Sequence, residues 1–156
     1  MANILRIDFL LLGTEMSPRE ISERTGIVPD VELRQGERNL SLNLPRQHTW
    51  KIGSKLNSEE LEEHWKELES ILLGAKDEIR SIAKSGRVEL VVAVVGDWRI
   101  PSIRIPVKMS EFAGYVGAIV DIDHLQYWFN RWAGLGFCLA VSNLKCNPLT
   151  EGNGRK

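Results

Sequence analysis

The sequence predicts an α+β fold: a mostly antiparallel sheet with one long and one short helix packed on one face, as a ferredoxin-like β-α-β-β-α-β core plus extra strands. Three observations carry this. Leu61, Trp65, Leu68, Leu72, Ala75, Ile79 and Ile82 recur at spacings of four and three, which puts them on one stripe of a helix. Val88–Val95 is almost continuously apolar, the pattern of a strand covered on both faces and the expected centre of the sheet. Leu5, Ile7, Phe9 and Leu11 alternate with Ile4, Arg6, Asp8 and Leu10, a strand pattern with both faces partly apolar, which suits an interior position.

The elements follow in order. After the strand over residues 3–12, Ser17 is an N-cap, Pro18 takes the first helical position, and Glu20 three residues on closes a capping box. Met16 is placed to staple onto Ile21, and Gly26 with Pro29 ends the helix. A strand is indicated near 30–34. Residues 35–48 have no period and read as a loop, with Gly36, Asn39, Asn43 and Pro45. Residues 47–52 read as a strand. The long helix is expected to start at Asn57, with Glu60 as its capping-box partner and Leu56 stapled to Leu61, and to end at Gly86 as a left-handed C′ residue. One helix of that length would span about 42 Å, long for such a domain, and Gly74 at its middle marks a place for a kink or break.

Beyond Val95, Gly96-Asp97 makes a turn, and Ser102–Val107 reads as a further strand that Pro101 and Pro106 push toward an edge. Residues 110–117 suggest a short helix capped by Ser110, and Ala118–Leu125 a last strand. Tyr127, Trp128, Phe129 and Trp132 make the segment that follows too apolar for a solvated linker, and Phe137–Val141 could form another strand. The 156 residues are expected to form one domain: a core over about 4–123, an aromatic extension over 124–146 and a frayed tail over 147–156.

Composition narrows the function classes. Hydrophobic residues make up 43% and charged residues 26%, an ordinary globular balance. A formal net charge of −1 argues against a dedicated nucleic-acid binder. No apolar run approaches the ~20 residues of a membrane helix. The first residues carry no basic stretch before an apolar run, so no signal peptide is expected, and a cytoplasmic location follows. Cys138 and Cys146 fit reduced thiols, and the sequon Asn39-Leu40-Ser41 then has no consequence.

Several of these residues also carry a family resemblance. The helix Ser17-Pro18-Arg19-Glu20-Ile21-Ser22-Glu23 leads into Thr25-Gly26-Ile27-Val28-Pro29, then Gly36 and Thr49-Trp50-Lys51-Ile52. Leu61-Glu62-Glu63-His64, the Val88–Val95 strand and Val120-Asp121-Ile122-Asp123 complete the pattern. In order and spacing this resembles the bacterial domain-of-unknown-function family numbered 4279, over roughly residues 4–123. The resemblance implies a small bacterial, cytosolic domain of the kind often akin to immunity proteins encoded near toxins. It implies no established activity, and it says nothing of the chain after Asp123.

The chemistry-bearing residues do not form a catalytic set. His48, His64 and His124 have no partner at metal-ligand spacing. Cys138 sits in Gly136-Phe137-Cys138-Leu139-Ala140, a setting that suits a buried, inert thiol. Asp121 and Asp123 share one face of a strand, with Asp8 on a neighbour, but no third fixed ligand is evident, so no metal site is expected. Gly134-Leu135-Gly136 is not a dinucleotide fingerprint. No cofactor is expected, nor is an enzyme.

Two charged stretches remain. Arg34, Arg38, Arg46, Lys51 and Lys55 face only Glu37 across 34–55, which a polar loop balancing an acidic neighbour explains. That neighbour is the helix segment with Glu59, Glu60, Glu62, Glu63, Glu67 and Glu69 against Lys66 alone. Glu59, Glu63 and Glu67 form an i, i+4 row, and each like-charge pair costs roughly 0.2–0.5 kcal/mol. The expected function is therefore a small cytosolic protein-binding domain, of the immunity type that neutralises a toxin. Glu59, Glu62, Glu63, Glu67 and Glu69 would meet a basic protein partner. The alternative is a small-ligand-binding or regulatory domain with a site between the 34–50 loop and the sheet, lined by Arg34, His48, Trp50 and Trp98. Homo-oligomerisation is left open; membrane and nucleic-acid partners are not expected.

Overall fold

The strand pattern of the N-terminal segment forms the middle of the molecule. The computed structural model describes residues 4–38, 44–96 and 102–126. In chain order these form β1 (Ile4–Leu12), α1 (Pro18–Thr25), β2 (Val31–Leu33), β3 (Thr49–Gly53), α2 (Leu61–Leu72), a single 3₁₀ turn (Leu73–Ala75), α3 (Lys76–Ala83), β4 (Arg87–Gly96), α4 (Val107–Val116) and β5 (Ile119–Gln126). The strands make one five-stranded sheet in the order β2-β3-β1-β4-β5. Every pairing is antiparallel except β4–β5, which is parallel. The fold is α+β, as expected, and the antiparallel order β2-β3-β1-β4 is compatible with a ferredoxin-like core. The strand at the centre is β1 rather than β4, which lies beside it.

Register decides which side chains share a face. Phe9 stands opposite Leu90 and Ile52, and Leu11 opposite Val88 and Trp50. With Leu5, Ile7, Val92 and Val94 these residues build one apolar face, and the helices cover it. Trp65, Leu68, Leu72 and Ile79 of the periodic stripe are buried there, as are Met109 and Phe112 of α4. Phe9 meets Trp50 edge-on at 6.3 Å and Phe112 at 6.0 Å between ring centroids, and Trp65 tilts against Phe112 at 5.4 Å. Favourable aromatic geometry is thus concentrated between β1, α2 and α4.

Local signals were accurate where a motif closed on itself. Ser17 Oγ accepts the Glu20 backbone N–H, the Glu20 carboxylate accepts the Ser17 N–H at 2.8 Å, and the helix ends at Gly26 with φ of 69°. The long helix is interrupted by the 3₁₀ turn around Gly74, and the buried stripe continues through Ala75 into Ile79 and Ile82 of α3.

Three expectations need correction. The helix expected from Asn57 starts at Leu61, with Glu60 in the N-cap position making no side-chain cap bond. Ser58 Oγ instead accepts the Glu60 N–H at 3.0 Å, and Leu56 is exposed, so neither the box nor the staple forms. The strand expected over Ser102–Val107 is absent: residues 102–106 are irregular and α4 begins at Val107, before the expected cap Ser110. Pro106, with φ of −61° and ψ of 142°, sits at its N-cap, where a missing N–H costs nothing. The segment then belongs to the crossover that a parallel β4–β5 pair requires.

Gly86 is the third correction. It does not adopt the left-handed conformation; it is small because β1 passes close by. A Cβ there would lie 2.6 Å from Leu12 O and 2.8 Å from Thr14 Cγ2. Because the obstacle is backbone, Gly86→Ala is expected to cost about 1–3 kcal/mol, measured by urea unfolding. A neutral outcome would mean that the β1–β4 end relaxes freely.

The opposite face of the sheet carries both apolar and charged side chains. Asp8 is held by Arg6 Nε at 2.8 Å and Lys51 Nζ at 3.0 Å. Asp30 accepts the Gly53 N–H at 2.8 Å and meets Lys55 Nζ at 3.1 Å. Partial burial pushes the Asp30 carboxyl up, but Gly53 N–H and Lys55 outweigh it and hold it below the usual aspartate range. A lowered acid stabilises the fold above its unfolded-state pKa, and that contribution is lost as pH falls through the folded-state value.

Candidate functional site

The start of α2 and the irregular 102–106 segment together enclose a groove of about 440 Å³. It is lined by the buried Leu5 and Leu61, by Ile103, Ile105 and Pro106, and by the polar Glu59, Glu60, Glu62, Ser102 and Arg104. The late start of α2 places Glu59 and Glu60 in the chain just before the helix, where they line the groove. Glu62 and Glu63 occupy the first helical turn, where the macrodipole favours negative charge.

The five glutamates of the expected partner surface do not act alike. Glu59, Glu62 and Glu63 are exposed. Glu62 pairs with Lys66 at 2.9 Å, and this hydrogen bond and its charge raise the lysine above its ordinary range. Glu67 instead accepts the Lys55 backbone N–H at 2.9 Å, tying the β3–α2 connection to the helix. The Glu69 side chain is only 15% exposed and faces Lys108 of α4 at 3.8 Å. Since Glu59 lies outside the helix, the i, i+4 row expected from it reduces to Glu63 and Glu67. Glu60 and Arg104 are groove residues that sequence reasoning did not single out. By sequence the first fits a capping box and the second a strand.

Of the residues of the alternative site, Arg34 and His48 lie close together, each near Glu20, whereas Trp50 is turned into the core. Trp50 is fully buried on the helix side, and its Nε1 donates to Ser22 Oγ at 3.0 Å. His48 Nδ1 accepts the Gln35 backbone N–H at 2.9 Å, so this ring pins the two ends of the loop. Arg34 is exposed, and Trp98 lies outside the described residues. Trp50 therefore offers no surface to a ligand.

A buried serine–histidine pair was not anticipated. His64 is fully buried. Its Nδ1 lies 2.7 Å from Ser54 Oγ, and its Nε2 lies 3.0 Å from the Ser58 carbonyl. The carbonyl only accepts, so Nε2 carries the proton and Ser54 donates to Nδ1. Ser54 Oγ in turn accepts the Ile7 N–H at 3.1 Å. Every polar atom of the pair is satisfied inside the protein, with no opening for a substrate. The chain of bonds is a strut between β1, β3 and α2.

The remaining candidates are scattered. His124 is exposed on β5, while Cys138, Cys146 and the aromatic 127–141 stretch lie outside the described residues. Asp8 is separated from Asp121 by Val91 of β4 in the register. Among the described residues no group of three His, Cys, Asp or Glu could hold a metal ion, and no helix is long and apolar enough to cross a membrane.

A family model described as Domain of unknown function (DUF4279) matches residues 4–127, and the chain belongs to that family. No curated protein and no solved structure matches it.

Proposed function

We propose that this family member is a small bacterial cytoplasmic protein-binding domain of the immunity type, which neutralises a toxin by docking a basic segment at the acidic end of α2. The observation that carries this is that Glu59, Glu60 and Glu62 line one groove together with Leu61 and Ile103. Such a site suits a lysine or arginine whose aliphatic stem packs on Leu61 and Ile103 while its charge meets the glutamates. Arg104 in the same lining disfavours a second cation.

The product of a toxin-like reading frame beside the gene is the probe. Glu59→Lys with Glu63→Lys should leave the melting temperature nearly unchanged, since both side chains are exposed. Affinity for that partner at low salt should fall at least tenfold, about 1.4 kcal/mol, mainly through the association rate. Unchanged affinity and on-rate would reduce the acidic end to a solvated surface.

A further inference from the structure

The sheet has a second apolar face that no described element covers. Its centre is Leu10, Val91 and Ala93, all half-buried, with Ile4 and Ile119 more exposed around them. Register puts Leu10 opposite Glu89, and Asp8 opposite Val91, which stands beside Asp121. A sheet face turned permanently to water normally alternates to polar residues. Here β4 places Val91 and Ala93 on it, both half-buried, beside the buried Val95.

The charges on this face are divided. Arg6 and Lys51 stand against Asp8 in the β1–β3 half, positive on balance. Glu89, Asp121 and Asp123 stand against Arg87 in the β4–β5 half, negative on balance. We propose that a second copy of this chain covers the face, in a two-fold dimer whose axis runs along the strands. Such an axis reverses strand order between the stacked sheets. The acidic β4–β5 half of one protomer then lies over the basic β1–β3 half of the other, and the apolar centres meet. Rotation about an axis across the strands would set acid on acid. With the axis between β1 and β4, four strands overlap, about 19 Å wide and about 20 Å deep, so the two faces bury on the order of 800 Å², the size of a weak, reversible contact. The acidic groove lies on the helix side and stays free in this dimer.

Sedimentation velocity of the whole chain, from about 1 to 100 µM, tests this in the range where an interface of this size dissociates measurably. The wild type should be a dimer that loosens with salt. Val91→Lys should be a folded monomer by circular dichroism. Asp121→Lys with Asp123→Lys, both at exposed positions, should weaken dimerisation at least tenfold at low salt. If Val91→Lys fails to fold, the aspartate pair carries the test alone. A wild type that is monomeric throughout would overturn the proposal, whether the face is bare or covered by another part of the chain. So would a dimer indifferent to these changes.

Discussion

Phe9→Ala is expected to lose about 3–5 kcal/mol of unfolding free energy, the largest effect of any single truncation considered. Phe9 has no exposure and lies on the central strand. Its ring touches Trp50 of β3 and Phe112 of α4, and Phe112 in turn meets Trp65 of α2. Those aromatics are anchored to three different elements, so they cannot all move inward to fill the space. The cavity therefore persists, and its cost adds to the lost transfer energy. Urea titration should show a lower midpoint with an unchanged slope. A loss below about 1 kcal/mol would show that the aromatic layer repacks, and would remove Phe9 as the keystone of the core.

His64→Ala should cost about 2–4 kcal/mol, through a cavity and two orphaned polar atoms. Ser54 Oγ loses its acceptor and the Ser58 carbonyl its donor. Because Ser54 also accepts the Ile7 N–H, the strut spans the β1–β3 pair and the start of α2. Ser54→Ala and His64→Ala should therefore be non-additive, with a coupling of about 0.5–3 kcal/mol in a double-mutant cycle. The folded fraction of either variant should keep full affinity for a partner docked at the groove. Additive losses would dissolve the strut. A folded, stable His64→Ala that had lost all function would instead return the pair to consideration as chemistry.

How far the sequence could be read depended on the range of the interactions involved. The capping box of Ser17 and Glu20 and the left-handed Gly26 are settled within one turn of chain, and they appear as expected. At Asn57 the same kind of motif misled. Ser58 supplies a competing hydroxyl, and its carbonyl is claimed by His64 in the following helix, so the chain stays non-helical to Glu60. Ile103 and Ile105 have strand spacing, yet the strand that pairs with β4 is β5. A period of two records alternating environments, not the partner that makes the hydrogen bonds. The acidic run was legible as charge. Its division into groove lining, helix tie and interhelical pair was not, because Lys55, Lys108 and residues 102–106 come from other elements.

By itself the sequence determined the α+β class, the apolar stripe from Leu61 to Ile82, the first helix with both its ends, and the family. These follow from periodicity and from hydrogen bonds between near neighbours, and both are written in local order. Only the tertiary structure decided that β1 is central, that β5 runs parallel to β4, that Trp50 is core, and that Ser54 and His64 meet. It also decided that Gly86 is small for lack of room rather than for its dihedral angles. Each of these outcomes rests on contacts between residues far apart in the chain, where the gain from burial and pairing outweighs whatever the local segment would prefer.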